Sequence, residues 1–259
     1  MARDMGHESF SEFAGRTALV TGAGSGIGAC VARWLSRHDI GKLILVDISE
    51  SGLNTFGSGC EIQREVGDVS DPGFWETLES GLGPIDYCIV NAGIGGGGEI
   101  ADLSLDEWRR IMSVNLDGAF MTLRAGLRAM RENGGGAAVV VSSITGIKPV
   151  PGIGPYGVAK AGVAHMARIA AAENAAHNIR VNAVAPGGVD TSIWDEGEQF
   201  RQAVALHGRA AALKVMASTT PRGQFATPDE LAGEIGFLLS DMAANITGTV
   251  LVSDGGFSF

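Results

Sequence analysis

The sequence predicts an α/β fold, in which a doubly wound parallel sheet of about seven strands carries helices on both faces. Two observations lead to this prediction. Short apolar runs of strand length alternate along the chain with longer amphipathic stretches, as in successive βα units. A glycine-rich turn, residues 21–28, separates the first apolar run from the first amphipathic stretch. The 259 residues suffice for one such domain, expected over residues 12–259 after a polar, disordered leader at residues 1–11.

Each strand is predicted at a short run of apolar and β-branched residues. The runs lie at residues 17–20, 42–46, 62–66, 85–90, 137–141, 180–184 and 249–252. Helices are predicted where apolar residues recur at helical spacing, at residues 27–38, 71–80, 105–133, 156–177 and 228–239. Between the second and third strands, three glycines disfavour a regular helix, so we expect a short or irregular segment at residues 49–60. Residues 192–219 form an insertion with helical periodicity.

The glycine turn has the spacing Gly-x-x-x-Gly-x-Gly across Gly22, Gly26 and Gly28. Such a turn between a strand and a helix lets backbone N–H groups approach a pyrophosphate. Asp47 closes the second strand, where a carboxylate can accept hydrogen bonds from the hydroxyls of an adenosine ribose. The alternatives are an ordinary glycine turn and a helix-capping aspartate. The combination favours a Rossmann-type dinucleotide site.

Tyr156 and Lys160 lie four residues apart, which is one turn of a helix, so their side chains project from the same face. A cation near a phenol lowers the phenol pKa, and a phenol tuned in this way can exchange a proton with an alcohol or an alkoxide. The chain has only two tyrosines, which makes the pair notable. The alternative is a solvated surface pair.

These features and several others, in the same order, resemble the short-chain dehydrogenase/reductase family over residues 13–259. The matching motifs are the Thr-Gly-x-x-x-Gly-x-Gly turn, Asp68-Val69, Asn91-Ala92-Gly93, Asn115, Ser142-Ser143, Tyr156-x-x-x-Lys160, Asn182-x-x-x-Pro186-Gly187 and Thr191. The resemblance implies a nicotinamide cofactor and hydride transfer between a secondary alcohol and a ketone. It also implies that residues 192–219 cover the substrate.

The resemblance assigns four catalytic positions. Tyr156 is the proton donor in reduction and the base in oxidation, and Lys160 lowers its pKa and holds the nicotinamide ribose. Ser143 orients the substrate oxygen; the family spacing of thirteen residues to the tyrosine selects it over Ser142. Asn115 holds a water of a proton relay, and its alternative role is to kink a long helix.

The resemblance also assigns the cofactor contacts. Those at the pyrophosphate turn are Gly22, Ser25, Gly26, Ile27 and Gly28. The others are Asp47, Asp68, Val69, Asn91, Ala92, Gly93, Tyr156, Lys160, Pro186, Gly187, Val189 and Thr191. Three of these have structural alternatives: a turn-forming Asp68, an Asn91 that ties strands together, and a plain turn at Pro186-Gly187.

NAD is the expected cofactor, because Asp47 would repel the additional phosphate of NADP. Family members that prefer NADP usually carry a basic residue in the glycine turn or just after the second strand. Those positions hold Ser25 and Ile48 here. Arg64 and Lys42 are the nearest cations in sequence, and neither stands where the motif would place it.

The residues expected to line the substrate pocket are mostly apolar, which favours a hydrophobic or alicyclic alcohol. They are Ile94, Ile144, Ile147, Val150, Trp194, Phe200, Leu206 and Met216. The loop Gly95 to Gly98, directly after the fourth strand, is interpreted either as room for a bulky substrate or as a flexible connector.

Composition limits the partners. A net charge of −10 provides no electrostatic footprint for nucleic acid or for an anionic membrane, and no apolar run has the length of a membrane span. The three cysteines lack metal-ligand spacing and fit a reducing compartment, so no metal and a cytoplasmic location are expected. The resemblance implies a homotetramer assembled through the helices at residues 105–133 and 156–177.

Two other functions stay open. One is a 3-oxoacyl-thioester reductase of the same family, whose acidic carrier protein the net charge of −10 would repel. The other is a regulator that binds the cofactor and does not catalyse, which the intact Ser143, Tyr156, Lys160 and Asn115 set disfavours.

Overall fold

The computed structural model describes residues 11–57 and 59–259. Seven strands form one parallel sheet in the order β3-β2-β1-β4-β5-β6-β7. The strands are β1 Thr17–Thr21, β2 Lys42–Asp47, β3 Glu61–Val66, β4 Tyr87–Val90, β5 Gly136–Val141, β6 Ile179–Pro186 and β7 Val250–Ser253. This confirms the predicted doubly wound fold. The strand order reverses between β1 and β4, and ligands bind at such a switch point at the carboxyl edge of the sheet.

Helices cover both faces of the sheet. They are α1 Gly26–Arg37, α2 Glu50–Leu53, α3 Pro72–Gly81, α4 Leu105–Met112, α5 Ala119–Glu132, α6 Gly154–Asn174, α7 Glu198–His207, α8 Arg209–Ala217 and α9 Pro228–Leu239. One apolar cluster lies between the sheet and the helices α1 and α9, and a second lies between the sheet and the helices α3, α5 and α6. The central strands are therefore buried on both sides, which explains their uninterrupted apolar sequence.

The prediction of a single regular α-helix at residues 105–133 is wrong for residues 113–118. Helix α4 ends at Met112, a π-helical segment follows at Ser113–Gly118, and α5 begins at Ala119. The π-helical segment carries Asn115, whose side chain hydrogen-bonds outside the helix. The sequence pattern alone cannot distinguish such a segment from an α-helix, because its apolar spacing is nearly the same.

Residues 49–60 and residues 192–219 adopt the structures that their sequences indicate, a short helix and a helical insertion. In the described part of residues 49–60 the helix is the four-residue α2, which packs so closely on the glycine turn that a methyl group at Gly52 would lie 2.7 Å from the carbonyl oxygen of Gly24. The insertion comprises the 3-10 helix Ser192–Glu196 followed by α7 and α8. Of the leader expected at residues 1–11, only Ser11 is among the described residues, and it begins the 3-10 helix Ser11–Phe13.

Hydropathy places no helix of the described residues in a bilayer: each is either too short or too polar to cross one.

The packing of α1 against α9 gives a matched pair of glycine substitutions. A methyl group at Gly236 would overlap the ring of Trp34, whereas a methyl group at Gly233, one turn earlier in α9, would meet nothing within 4 Å. We expect Gly236→Ala to destabilise the protein by about 1–3 kcal/mol through overpacking. We expect Gly233→Ala to stabilise it by up to about 1 kcal/mol through helix propensity. Urea unfolding followed by circular dichroism measures both, and equal effects would contradict this description of the interface.

Candidate active site

The glycine turn joins β1 to α1. Gly22 and Gly26 have φ angles of 65° and 52°, which glycine adopts without strain. A methyl group at Gly28 would overlap the carbonyl oxygen of Gly22, so the helix can approach the strand this closely only without a side chain there. Ser25 caps α1 without a side-chain hydrogen bond, which leaves amide donors of the first helical turn for another acceptor. The turn, with Ile27 in the same first helical turn, fits a dinucleotide pyrophosphate.

Thr21 and Asn91 cross-link the carboxyl ends of β1 and β4. The Thr21 hydroxyl oxygen accepts hydrogen bonds from the backbone N–H groups of Asn91 (3.2 Å) and Ala92 (3.3 Å). The Asn91 side-chain amide donates to the carbonyls of Thr21 (3.0 Å) and Gly22 (3.3 Å). Asn91 therefore ties the two strands together, which is the structural alternative given for it above. No role was expected for Thr21; the signal in the sequence is a hydroxyl residue that ends an apolar strand.

The Asp47 carboxylate lies beside the glycine turn. One oxygen accepts a hydrogen bond from the Gly24 backbone N–H and the other from the Ser49 N–H, both at 2.8 Å. Arg64, one of the two nearest cations in sequence, donates to the carbonyls at the end of α2. Lys42, the other, begins β2 at the end far from Asp47 and pairs with Glu61 at the start of β3. Neither cation is placed to neutralise a phosphate at Asp47.

Asp68 and Val69 follow β3. One Asp68 carboxylate oxygen accepts hydrogen bonds from the backbone N–H (2.8 Å) and the hydroxyl (2.7 Å) of Ser70, as the turn-forming alternative expects. Val69 is buried, and its carbonyl accepts a hydrogen bond from the indole of Trp75 at 2.8 Å. The pair thus forms a rigid corner whose backbone is fixed independently of any ligand.

Asn115, Ser143 and Lys160 are buried together at the carboxyl ends of β4 and β5, next to Tyr156. A methyl group at Gly93 would lie 2.6 Å from the Asn115 side-chain oxygen and 3.4 Å from Nζ of Lys160, so both side chains approach the same glycine. Nζ of Lys160 lies 5.6 Å from the centre of the Tyr156 ring. The structure brings the four predicted catalytic residues into one cluster.

The two adjacent serines have different partners. The Ser142 hydroxyl donates to the carbonyl of Lys160 at 2.7 Å and so fixes α6 to the end of β5. The Ser143 side chain hydrogen-bonds Tyr156 and accepts hydrogen bonds from the backbone N–H and the hydroxyl of Thr145. Of the two serines, Ser143 is the one directed toward the tyrosine.

The Asn115 side chain holds the residue that follows the Asn91-Ala92-Gly93 motif. Its amide nitrogen donates to the carbonyls of Ile94 and Ile111, both at 3.1 Å. Its oxygen accepts a hydrogen bond from the Ile94 backbone N–H at 3.3 Å. These bonds to residues outside the π-helical segment agree with the interpretation of Asn115 as a helix-distorting residue.

Burial dominates the electrostatics of the cluster. It raises the pKa of Tyr156 to about 12, and the hydrogen bond from Ser143 opposes this rise. Burial also lowers the pKa of Lys160 to about 8. Burial thus outweighs the lowering of the Tyr156 pKa that was expected from Lys160, whose Nζ donates to the carbonyl oxygen of Val141 at 2.9 Å.

The loop after β6 closes over the glycine turn. Pro186 ends the strand, and the Gly187 backbone N–H donates to the carbonyl of Ser253 at 2.9 Å. Val189 is buried. The side chain of Thr191 lies 3.3 Å from the position that a methyl group on Gly26 would take, so the two loops expected to bind opposite ends of a dinucleotide lie against each other.

Arg209, at the start of α8, ties the insertion to this loop, and sequence reasoning did not find it. Its guanidinium donates to the carboxylates of Asp190 (2.9 Å) and Asp195 (2.6 Å) and to the carbonyl of Thr191 (2.8 Å). It also lies 5.3 Å from the centre of the buried Phe200 ring. Two aspartates near a threonine in a helical insertion were the only sequence signal.

The structure corrects one expectation about the substrate side and disfavours one of the two alternatives for the glycine loop. Leu206 is 77% exposed on the outer face of α7 and does not line an enclosed pocket. The loop Gly95 to Gly98 is not a free connector, because the Gly98 backbone N–H donates to the carbonyl of Gly152 at 2.7 Å.

A cavity of about 530 Å³ lies at the opposite, amino edge of the sheet. Arg16 and Asp86 in its wall pair with each other at 2.7 Å, and Arg180 donates to the carbonyls that end α9. These groups bind each other or the backbone. The described lining of this cavity therefore has no set of reactive groups comparable to the cluster of Ser143, Tyr156, Lys160 and Asn115.

The low pKa of Lys160 has a consequence for stability. Its pKa of about 8 in the folded chain lies below the ordinary 10.5, so between these pH values the unfolded chain binds more protons and stability rises with pH. Relative to Lys160→Met, the wild type should gain about 1–3 kcal/mol in unfolding free energy from pH 8 to pH 10.5. Urea titrations at several pH values measure the difference, with Lys214→Met at an exposed site as control. A difference independent of pH would contradict the prediction.

Comparisons with known proteins agree with the fold. A family model described as enoyl-(acyl carrier protein) reductase matches residues 22–258. Cis-4-hydroxycyclohexanecarboxylate dehydrogenase from Sinomonas cyclohexanicum is 34% identical, with 95% of this chain and 98% of the relative covered. NADP-dependent (R)-specific alcohol dehydrogenase from Lentilactobacillus kefiri is 31% identical, with 94% and 97% covered.

Solved structures also match this chain over nearly its whole length. The crystal structure of levodione reductase superposes with a TM-score of 0.86 at 33% identity, covering 95% of this chain and 98% of that one. A short-chain type dehydrogenase/reductase from Mycobacterium marinum superposes with a TM-score of 0.82 at 30% identity, covering 95% and 96%. The chain belongs to the short-chain dehydrogenase/reductase family, whose members use a nicotinamide cofactor to act on CH–OH groups.

Proposed function

We propose that this chain is an NAD-dependent oxidoreductase that interconverts a secondary alcohol and a ketone, with a hydrophobic or alicyclic substrate. The observation that carries the proposal is the convergence of Ser143, Tyr156, Lys160 and Asn115 at the carboxyl edge of the sheet, beside a glycine turn that fits a pyrophosphate. Relatives named for cyclohexanecarboxylate, cyclohexadiene-diol and levodione substrates support the alicyclic class.

The nicotinamide ring, when bound, supplies or accepts the hydride. In ketone reduction, Tyr156 gives its proton to the oxygen that becomes the alcohol, and its pKa of about 12 keeps the phenol protonated until then. Ser143 donates a hydrogen bond to the same oxygen and stabilises its developing charge. In oxidation Tyr156 accepts the proton, and the nearby cationic Lys160 favours the phenolate. Lys160 would also hold the ribose hydroxyls of a bound nicotinamide nucleotide, and Asn115 would orient a water of the proton relay.

The first prediction for this mechanism concerns Tyr156. Tyr156→Phe removes the proton donor and keeps the ring, so turnover should fall by about 10²–10⁴ while cofactor binding persists. Tyr87→Phe is the matched control, because Tyr87 is the only other tyrosine and packs in the core against Phe13. Steady-state kinetics with cyclohexanol and NAD, and NADH fluorescence, measure the two effects. Near-normal turnover in Tyr156→Phe would refute the assignment.

The choice of NAD rests on Asp47. Its carboxylate stands beside the turn, Arg64 and Lys42 bind other groups, and Ile48 next to it is 71% exposed. One relative is named as NADP-dependent, so membership of the family does not decide the cofactor, and the proposal rests on the local charge. We propose that Asp47 binds the free ribose hydroxyls of NAD and that the enzyme works mainly in the direction of alcohol oxidation.

The cofactor choice is tested by kcat/KM with NAD and with NADP. We expect the wild type to prefer NAD, Asp47→Ala to relax the preference, and Ile48→Arg to improve the use of NADP by supplying a cation. Because Asp47 also accepts two backbone hydrogen bonds, the thermal stability of Asp47→Ala should be compared with that of the wild type. Equal or better efficiency of the wild type with NADP would overturn the role of Asp47.

The name of the matching family model supports a carrier-protein thioester as substrate, but an enoyl reductase reduces a carbon–carbon double bond and not a 3-oxo group. The net charge of −10 opposes it, because the acidic carrier protein would be repelled. A 3-oxoacyl-thioester and a cyclic ketone, compared under identical conditions with NADH, separate these two reductases. Cofactor binding without turnover of either would favour the regulator.

We propose a homotetramer, with a dimer as the smaller alternative, because α5 and α6 keep exposed apolar side chains. Phe120, Val158 and Ile169 are 45–50% exposed on these helices. We further propose a cytoplasmic location, in keeping with three free cysteines, and a substrate-covering role for residues 192–219.

Light scattering at micromolar concentration should give four times the chain mass of 26.7 kDa. Ile169→Glu places a charge on the proposed interface and should shift the protein toward smaller species. Val215→Glu, at another exposed apolar residue, is the control and should not. A monomer mass for the wild type would contradict the assembly.

A further inference from the structure

The loop Gly95 to Gly98 is closely packed on both sides, against side chains of α4 and its approach and against the backbone of Gly152. Gly96 and Gly98 have φ angles of 145° and 151°. A methyl group at Gly96 would approach the Glu107 carboxylate (2.6 Å), and one at Gly98 would lie 2.8 Å from the Leu103 side chain. A methyl group at Gly97 would overlap the carbonyl oxygen of Gly152. The loop is therefore a packed spacer between two other segments.

The first of these segments is α4 with the π-helical segment that follows it. Arg110 donates from its guanidinium to the carbonyl of Gly95 at 3.2 Å. Two further hydrogen bonds, of 2.8 and 2.9 Å, fix that guanidinium to the Glu107 carboxylate. Asn115 holds the neighbouring Ile94 through both its N–H and its carbonyl. The entrance to the loop is thus fixed at two consecutive residues.

The second segment leads directly into the helix that carries Tyr156. The Gly98 backbone N–H donates to the Gly152 carbonyl at 2.7 Å, and Gly98 forms a parallel β-bridge with Ile153. Ile153 is the N-cap residue of α6, and its carbonyl accepts the hydrogen bond of the Gly157 N–H at 2.9 Å. Tyr156 is the third residue of this helix. A displacement of the loop therefore moves the first turn of α6.

Stability does not account for the Arg110–Glu107 pair. The two side chains are 50% and 29% exposed, and exposed ion pairs contribute little to the free energy of folding. Their geometry is nevertheless specific, because one guanidinium binds a carboxylate through two nitrogens and a loop carbonyl at the same time. Such a pair is suited to fix the position of a backbone segment.

We propose that Arg110, oriented by Glu107, is a positioning residue that acts through the loop Gly95 to Gly98 to set the place of the Tyr156 hydroxyl. The catalytic consequence of this inference rests on the proposed function. Misplacement of a reacting group by about 1 Å can reduce rates by about 10²-fold. The pair lies outside the cofactor turn, so its loss should reduce kcat and leave the KM for NAD nearly unchanged.

The test uses the fact that the chain has two tyrosines. Protein labelled with [ζ-13C]tyrosine gives one resonance for each, and Tyr156→Phe assigns them. Three variants are compared with the wild type. Gly97→Ala pushes the loop against Gly152, Arg110→Met removes the guanidinium, and Arg109→Met is the matched control on the exposed face of the same helix.

We expect Gly97→Ala and Arg110→Met to move the Tyr156 resonance by more than its linewidth and to leave the Tyr87 resonance in place. With cyclohexanol and NAD, kcat should fall by about 10–100-fold for Gly97→Ala and about 3–10-fold for Arg110→Met. Arg109→Met should change neither resonance nor rate. Arg110→Lys, which keeps a cation near the Gly95 carbonyl, should recover part of the loss.

The inference is overturned if folded Arg110→Met retains the wild-type Tyr156 resonance, or if Arg109→Met has the same effect. If Gly97→Ala does not fold, Arg110→Met decides alone, because its side chain is half exposed. If the wild type oxidises no alcohol, the proposed function fails, and the Tyr156 resonance still decides the positioning role.

Discussion

The structure depends on the hydrogen bonds between Thr21 and Asn91, which join the carboxyl ends of β1 and β4. The connections that follow these two neighbouring strands run to opposite faces of the sheet, and a crevice opens between them. Without a cross-link, the crevice would leave backbone donors and acceptors at two strand ends unpaired. The bonds satisfy them and bring Gly22 so close to Asn91 and Ala92 that no side chain fits. The glycine turn and the cluster around Lys160 are both built out from this point.

The catalytic cluster shows the cost of burying charge. Lys160 is nearly inaccessible to solvent, and the described residues provide no carboxylate partner for it. Its ammonium group instead donates to the carbonyl of Val141. A carbonyl compensates a buried cation only in part, which is why burial lowers the pKa of Lys160. A carboxylate there would restore the ordinary pKa, but it would also offset the positive field that acts on Tyr156.

The sequence predicted the features that are encoded locally. A turn that needs positive φ angles must carry glycine, an acid ends the strand that follows the turn and its helix, and a one-turn spacing puts Tyr156 and Lys160 on one helix face. It failed where distant residues decide. The π-helical segment depends on a bond between Asn115 and Ile94, twenty-one residues apart. The direction of the pKa shift of Tyr156 depends on burial, which a motif does not report. The contacts of Arg209 join three segments whose proximity only the fold creates.

The insertion is attached to the rest of the chain by a different kind of interaction. Leu206 and Val215 on its helices are largely exposed, so apolar burial contributes less there than in the central layers. Arg209 stands at the first position of α8, where the helix dipole disfavours a cation. Asp190 and Asp195 compensate for this and draw the helix onto the loop that lies against Gly26. Because the guanidinium also binds the carbonyl of Thr191, any movement of that loop is transmitted to the insertion. The segment proposed to cover the substrate is therefore coupled to the cofactor side of the crevice through Arg209, beside the hydrogen bond that the Trp194 indole donates to the carbonyl of Val189 at 2.7 Å.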